Sequence, residues 1–94
     1  MFVGSSVDPA VHKAEIETPK FKMLIQGVGS IEEGASMAKQ FAEAGVSLIE
    51  LCGGFGFAGA KTVSDAVGNR ASVSMTVSQV LDAPKLAEIL GDWG

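Results

Sequence analysis

Between a predicted strand and a predicted helix lies Gly53-Gly54-Phe55-Gly56-Phe57-Ala58-Gly59, the stretch whose residue types are best suited to holding a phosphate. Gly54, Gly56 and Gly59 satisfy G-x-G-x-x-G, the spacing that lets a strand-to-helix turn approach a dinucleotide pyrophosphate. That chemistry also needs a carboxylate about 20 residues further on, at the end of the next strand, to hold the ribose. The sequence there reads Thr76, Val77, Ser78, so a dinucleotide site is not supported. The other phosphate signature, G-x-x-x-x-G-K-S/T, fails by one residue, because Ala60 separates Gly59 from Lys61 and Thr62. One extra residue turns a helical lysine by about 100° around the axis and takes its ammonium away from the phosphates. A weaker expectation survives both tests: backbone N–H groups of the loop, together with a helix amino terminus, favour an anionic small molecule. The alternative is that the glycines only permit a tight turn, with Phe55 and Phe57 tucked into the core or a subunit contact.

Two reactive side chains stand just before the loop. Cys52, the only cysteine, falls where a strand ends, and a nucleophilic role needs positive charge nearby to favour the thiolate. Strand periodicity instead puts Glu50 on its face, which opposes that ionisation. Glu50 lies between Ile49 and Leu51, so in a central strand it is a buried carboxylate requiring a partner, or a general base with a raised pKa. His12, the sole histidine, has no evident reason to meet Cys52. No second carboxylate or ligand cluster accompanies Glu50, so no metal and no cofactor is implied.

The elements that must position these residues are read from alternating period-2 and period-3.6 patterns. The predicted strands are "MFVGS", "FKMLIQGV", "SLIELC" and "ASVSMTVS". Asp8-Pro9 reads as a cap opening a short helix to about Glu17, which Pro19 then ends. Ser30 with Glu33 forms a capping box for a second helix, whose inner face is Ile31, Ala35, Ala38 and Ala42 and whose end is Gly45. A third helix runs from about Gly59 to Val67 with Gly68 after it, and Asp82 caps a fourth with Leu86, Ile89, Leu90 and Trp93 as its apolar side. No hairpin turn is evident between adjacent strands. The expectation is therefore a single α/β domain over residues 1–94, with a four-stranded mainly parallel sheet in flavodoxin-like order 2-1-3-4 and helices packed on it. Ligands of such sheets bind beyond the strand carboxyl ends where the order reverses. That places Ser5 and Ser6 opposite Cys52, Gly53, Gly54, Phe55 and Gly56 as the expected ligand-binding residues.

Composition narrows the partners. Seven basic residues, spread singly, face eleven acidic ones for a net charge of −4, which leaves no basic footprint for nucleic acid. One cysteine excludes an internal disulfide. No secretory signal is expected from the amino terminus, and no apolar run approaches the ~18 residues of a membrane span; a cytoplasmic location is expected. An apolar share of 47% is high for 94 residues, so surplus apolar surface points to a homo-oligomer.

The segments "DPAVHKAEIETPKFKMLIQGV" and "GVSLIELCGGFG" resemble a family of small uncharacterised prokaryotic α/β proteins. The resemblance covers most of residues 7 to 68 through a D-P-x-x-H helix, an E-T-P turn and an E-L-C-G-G-F-G loop, here Asp8, Pro9, His12, Glu17, Thr18, Pro19 and Glu50 to Gly56. It implies a fold outline and no reaction. Three expectations stand side by side: binding of an anionic small molecule at the Gly53–Gly59 loop, a small enzyme using Glu50 or Cys52, and a structural or partner-binding homo-oligomer.

Overall fold

A computed structural model describes residues 1–93, the side chain of Trp93 excepted. Its elements in chain order are β1 (Phe2–Val3), β2 (Lys13–Glu17), β3 (Lys22–Val28), α1 (Ile31–Glu43), β4 (Leu48–Leu51), α2 (Gly56–Val67), β5 (Ser72–Met75) and α3 (Ala83–Trp93), with 3-10 turns at Gly53–Phe55 and Val80–Asp82.

The architecture is α/β, but the four-stranded, mainly parallel flavodoxin-like sheet is not what forms. There are two sheets instead: a three-stranded mixed sheet in the order β1-β3-β2, and a parallel pair β4-β5. The first cause is residues 13–17. They form a strand antiparallel to β3, with Ala14 opposite Ile25 and Ile16 opposite Met23, where a helix is predicted. Asp8 and Pro9 nucleate only a turn: Asp8 Oδ1 accepts from the Ala10 N–H, and the Asp8 carbonyl accepts from His12 N. Lys-Ala-Glu-Ile-Glu then alternates with period 2, and a single helical turn offers it nothing to bury. The hairpin that sequence alone does not reveal is closed by Thr18, whose N–H donates to the Phe21 carbonyl while its Oγ1 accepts from the N–H groups of Lys20 and Phe21. The second cause is the brevity of β1. Its two residues pair with Gly27 and Val28, and only Met1 reaches the other sheet, donating from N to the Glu50 carbonyl at 2.6 Å and accepting from Cys52 N at 2.9 Å.

The helices match their sequence signals closely. Ser30 caps α1, its Oγ accepting from Glu33 N, while Glu33 Oε1 accepts from Gly29 N. Gly45, at φ 106°, closes it in a Schellman motif, with Gly45 N donating to Ala42 O and Val46 N to Phe41 O. Ala35, Ala38 and Ala42 are buried as expected, and Val63 and Val67 of α2 meet them together with Val28, Ile49, Leu51 and Phe55 to make the core. Gly34 and Gly59 bring α1, α2 and the Phe55 ring into close contact: a Cβ on Gly34 would sit 2.8 Å from Phe55 Cε1, and one on Gly59 would sit 3.0 Å from Ile31 Cδ1. α2 starts at Gly56, three residues earlier than predicted, because the 3-10 turn runs directly into it.

The core thus lies on one side of the strands. On the other side Phe2, Ile16, Met23, Ile25 and Leu48 are all exposed. β5 ends at Met75, short of the predicted Ser78, and Val77 is exposed. The apolar side predicted for α3 is present in Leu86, Ile89 and Leu90, but each is exposed; the Trp93 side chain lies outside the described residues.

Candidate functional site

The glycine turn is accounted for by packing. A Cβ on Gly54 would meet Cys52 Sγ at 3.3 Å and Val3 Cγ1 at 3.4 Å, and one on Gly53 would meet the Thr76 carbonyl at 3.2 Å. Gly56 has φ 66°, a left-handed value that glycine adopts without strain. Phe55 is 2% exposed and fills the core, while Phe57 is 80% exposed. Lys61 is exposed and pairs with Asp65 at 2.9 Å, one helical turn on. The turn does sit beside the end of β1, through Gly54 and Val3. Ser5 and Ser6, just beyond, are exposed and make no hydrogen bond to the turn among the described residues.

Glu50 is not the buried carboxylate expected. It is exposed on the side of β4 away from the helices, next to buried Ile49 and Leu51. Cys52 is half-buried at the end of the same strand. His12 is exposed in the turn before β2, its Nδ1 accepting from Asp8 N at 2.8 Å; no contact between it and Cys52 occurs among the described residues. No group of three or more potential metal ligands forms among them either.

What the structure brings together is a slot. Its walls are β3 from Phe21 to Gln26 and β4 with its preceding residues from Ser47 to Cys52; Met1 closes one end, Phe41, Ala44 and Val46 form its base, and its volume is about 980 Å³. The slot exists because β1 separates β3 from β4 and then stops. Where β1 stands between them the two walls are two strand spacings apart, about 9–10 Å. Below Met1 no strand fills that width. Both walls carry backbone groups without a hydrogen-bond partner among the described residues. The Thr18-to-Phe21 and Gly27-to-His12 hydrogen bonds turn residues 21, 23, 25 and 27 towards β2, so the N–H and C=O of Lys22 and Leu24 face the slot. On the other wall Ser72 N donates to Ser47 O and Thr76 N to Leu51 O, which turns the odd residues of β4 towards β5. The peptide groups of Leu48 and the N–H of Glu50 face the slot.

Charge at the slot is sparse. Lys22 pairs with Glu15 at 2.9 Å, and this partner pushes the lysine pKa up. Burial lowers that of the Met1 amino group, opposed by the nearby Cys52 and Glu50. Glu50 and Cys52, both singled out from sequence, thus line the slot with Met1, whereas Ser5, Ser6 and the glycines of the turn do not. Residue types do not disclose the slot, because its signal lies in a length. A strand of two residues beside one of seven must leave part of the longer one without a neighbour.

The family model for a family of unknown function, DUF6506, matches residues 1–90. The chain belongs to this family. Its match covers the whole slot and reaches into α3, beyond the residues on which the sequence resemblance rests. No curated protein and no solved structure matches the chain. The resemblance implies a D-P-x-x-H helix; residues 8–12 form a turn. Among the described residues no helix is long and apolar enough to cross a membrane.

Proposed function

We propose that the protein is a non-catalytic binding module whose slot accepts an extended polypeptide segment as an additional strand between β3 and β4. The observation that carries this reading is the pair of unpaired backbone edges facing each other across one missing strand. Unpaired N–H and C=O groups along a strand edge are a ready template for a further strand, and strand addition satisfies them on both sides at once. β3 and β4 both run parallel to β1 in this arrangement, β3 by its ladder and β4 by the Met1 hydrogen bonds. A strand in line with β1 therefore serves both walls. Its alternate side chains would face Phe41, Ala44 and Val46 on one side and the open sheet face on the other, so the segment puts an apolar side chain over that base, carries small polar residues on the open face and is free of proline.

The anionic small molecule at the Gly53–Gly59 loop has less support. Its motive is the glycine content, and packing against Val3, Cys52 and Thr76 accounts for that content. An enzyme built on Glu50 or Cys52 has the Met1 amino group beside them, already donating to the Glu50 carbonyl, and no group of three or more potential metal ligands among the described residues. Amide hydrogen exchange tests strand addition directly. With a six-residue peptide of alternating valine and threonine at millimolar concentration, the amides of Lys22, Leu24, Leu48 and Glu50 are expected to slow together. Unchanged exchange at all four would remove the reading.

A further inference from the structure

The slot has a match elsewhere on the chain. After β5 the polypeptide runs from Thr76 to Gln79 without helix or strand, and then through a 3-10 turn into α3. From Thr76 to Asp92 every residue but Asp82 is exposed. The arm is nevertheless apolar: Val77, Val80 and Leu81 are followed by Leu86, Ile89 and Leu90 on one side of α3. An isolated helix of eleven residues is below the ~12–15 that hold together in water even with alanine-rich sequences, so α3 needs a surface against which to pack. Among the described residues, Leu86, Ile89 and Leu90 stay exposed on their own chain.

Resting on the strand-addition reading, we infer that the occupant is the arm of a second copy of this chain, and that the two copies exchange arms about a two-fold axis. The extended residues Val77–Gln79 of one copy enter the slot of the other as the missing strand, and its α3 lays Leu86, Ile89 and Leu90 over the exposed Met23, Ile25 and Leu48. The surface areas fit this assignment. The chain exposes 6549 Å², whereas a compact chain of 9.6 kDa is expected to expose about 5,100 Å². The surplus of roughly 1,400 Å² exceeds the ~800 Å² that each partner contributes to a standard interface. The radius of gyration of 13.9 Å, against about 12.4 Å for a compact chain of this length, shows the same excess over a compact shape. In an exchanged dimer each arm and each slot is used once, which closes the assembly at two copies.

Sedimentation velocity on the full chain tests this with two variants whose sites are exposed and outside the core. Leu86→Glu with Ile89→Glu damages the arm; Leu48→Lys damages the slot. The unaltered chain is expected as a dimer at micromolar concentration. Each variant alone is expected to weaken dimerisation by at least 100-fold, with unchanged far-ultraviolet circular dichroism. An equimolar mixture of the two is expected to recover a heterodimer, because one intact arm then meets one intact slot. A monomer at all concentrations, a dimer indifferent to the arm variant, or variants that fail to complement would each overturn the exchange. Strand addition is scored separately, by the protection of Leu24 and Glu50 amides with peptide added to the arm variant. If those amides slow, the slot takes a strand and any failure belongs to the choice of occupant. If they do not, both readings fall.

Discussion

The two sides of the strands obey different rules. On the helix side Val28, Leu51, Val63 and Val67 are fully buried, and glycines at 34 and 59 let the helices come within contact of Phe55 and Ile31. On the opposite side apolar residues of the same kind, Ile16, Met23, Ile25 and Leu48, stay exposed, and a strand-wide slot interrupts the backbone ladder. Apolar content alone does not decide which side becomes core. Helices come after β3 and β4 in the chain, and the two crossovers place α1 and α2 on one side, so that among the described residues Ile16, Met23, Ile25 and Leu48 on the other stay exposed. A surplus of apolar residues can thus be specified locally and left uncovered by the helices that follow.

The largest effect expected from disturbing this contrast lies at Phe55. Its ring is the largest aromatic group in the core and touches α1 at Gly34. Phe55→Ala is expected to lose about 3–5 kcal/mol in urea unfolding, out of a total of roughly 5–15 kcal/mol for a domain of this kind. A loss below about 1 kcal/mol would mean that the helix side is as loosely filled as the slot. Gly34→Ala approaches the same contact from the other partner. Alanine gains up to ~1 kcal/mol in helix propensity, but its methyl would lie 2.8 Å from Phe55 Cε1, and overpacking costs about 1–3 kcal/mol. The net expectation is a loss of about 1 kcal/mol; a gain would show that the ring can swing aside.

Between these core changes and the surface stands the cap of α1. Ser30→Ala removes the oxygen that accepts from Glu33 N and is expected to cost about 1 kcal/mol in the same assay. This site is fully legible in the sequence, as is most of α1. A capping box, apolar residues spaced at 3.6 and a terminal glycine each act within one or two turns, so neighbouring residues suffice to specify them. The same holds for β3, β4 and β5, whose existence, though not each boundary, is readable from alternation. Residues 13–17 are not legible in this way. Asp8-Pro9 is a sound helix start, and only the pairing of Ala14 and Ile16 with Ile25 and Met23, a relation across a hairpin, makes a strand of the segment after it.

The candidate site divides in the same way. Glu50 and Cys52 stand out by residue type, and both lie at the slot. Burial of Glu50 is the natural expectation because Ile49 and Leu51 flank it; those two side chains point to the helices, and alternation sends Glu50 to the side that no helix covers. Ser5, Ser6 and the glycine turn are selected by a rule about strand tips in parallel sheets. The slot of about 980 Å³ lies elsewhere, partway along the strands where β1 falls short. No local pattern announces a missing neighbour, because its only trace is the difference in length between strands far apart in the chain.

The smallest expected effect applies the same contrast within a single turn. Phe55 and Phe57 are two residues apart and read alike from sequence, yet one is 2% exposed and the other 80%. The 3-10 turn over Gly53–Phe55 directs the first ring into the core. Gly56, with its positive φ, then redirects the chain, so that Phe57 leaves on the outer side of α2. Phe57→Ser should therefore change unfolding by no more than about 0.5 kcal/mol, as surface substitutions do, while Phe55→Ala removes several. Equal losses at the two positions would mean that Phe57 is covered in solution. That cover would then have to come from another molecule on the helix side, where the arm exchange places none.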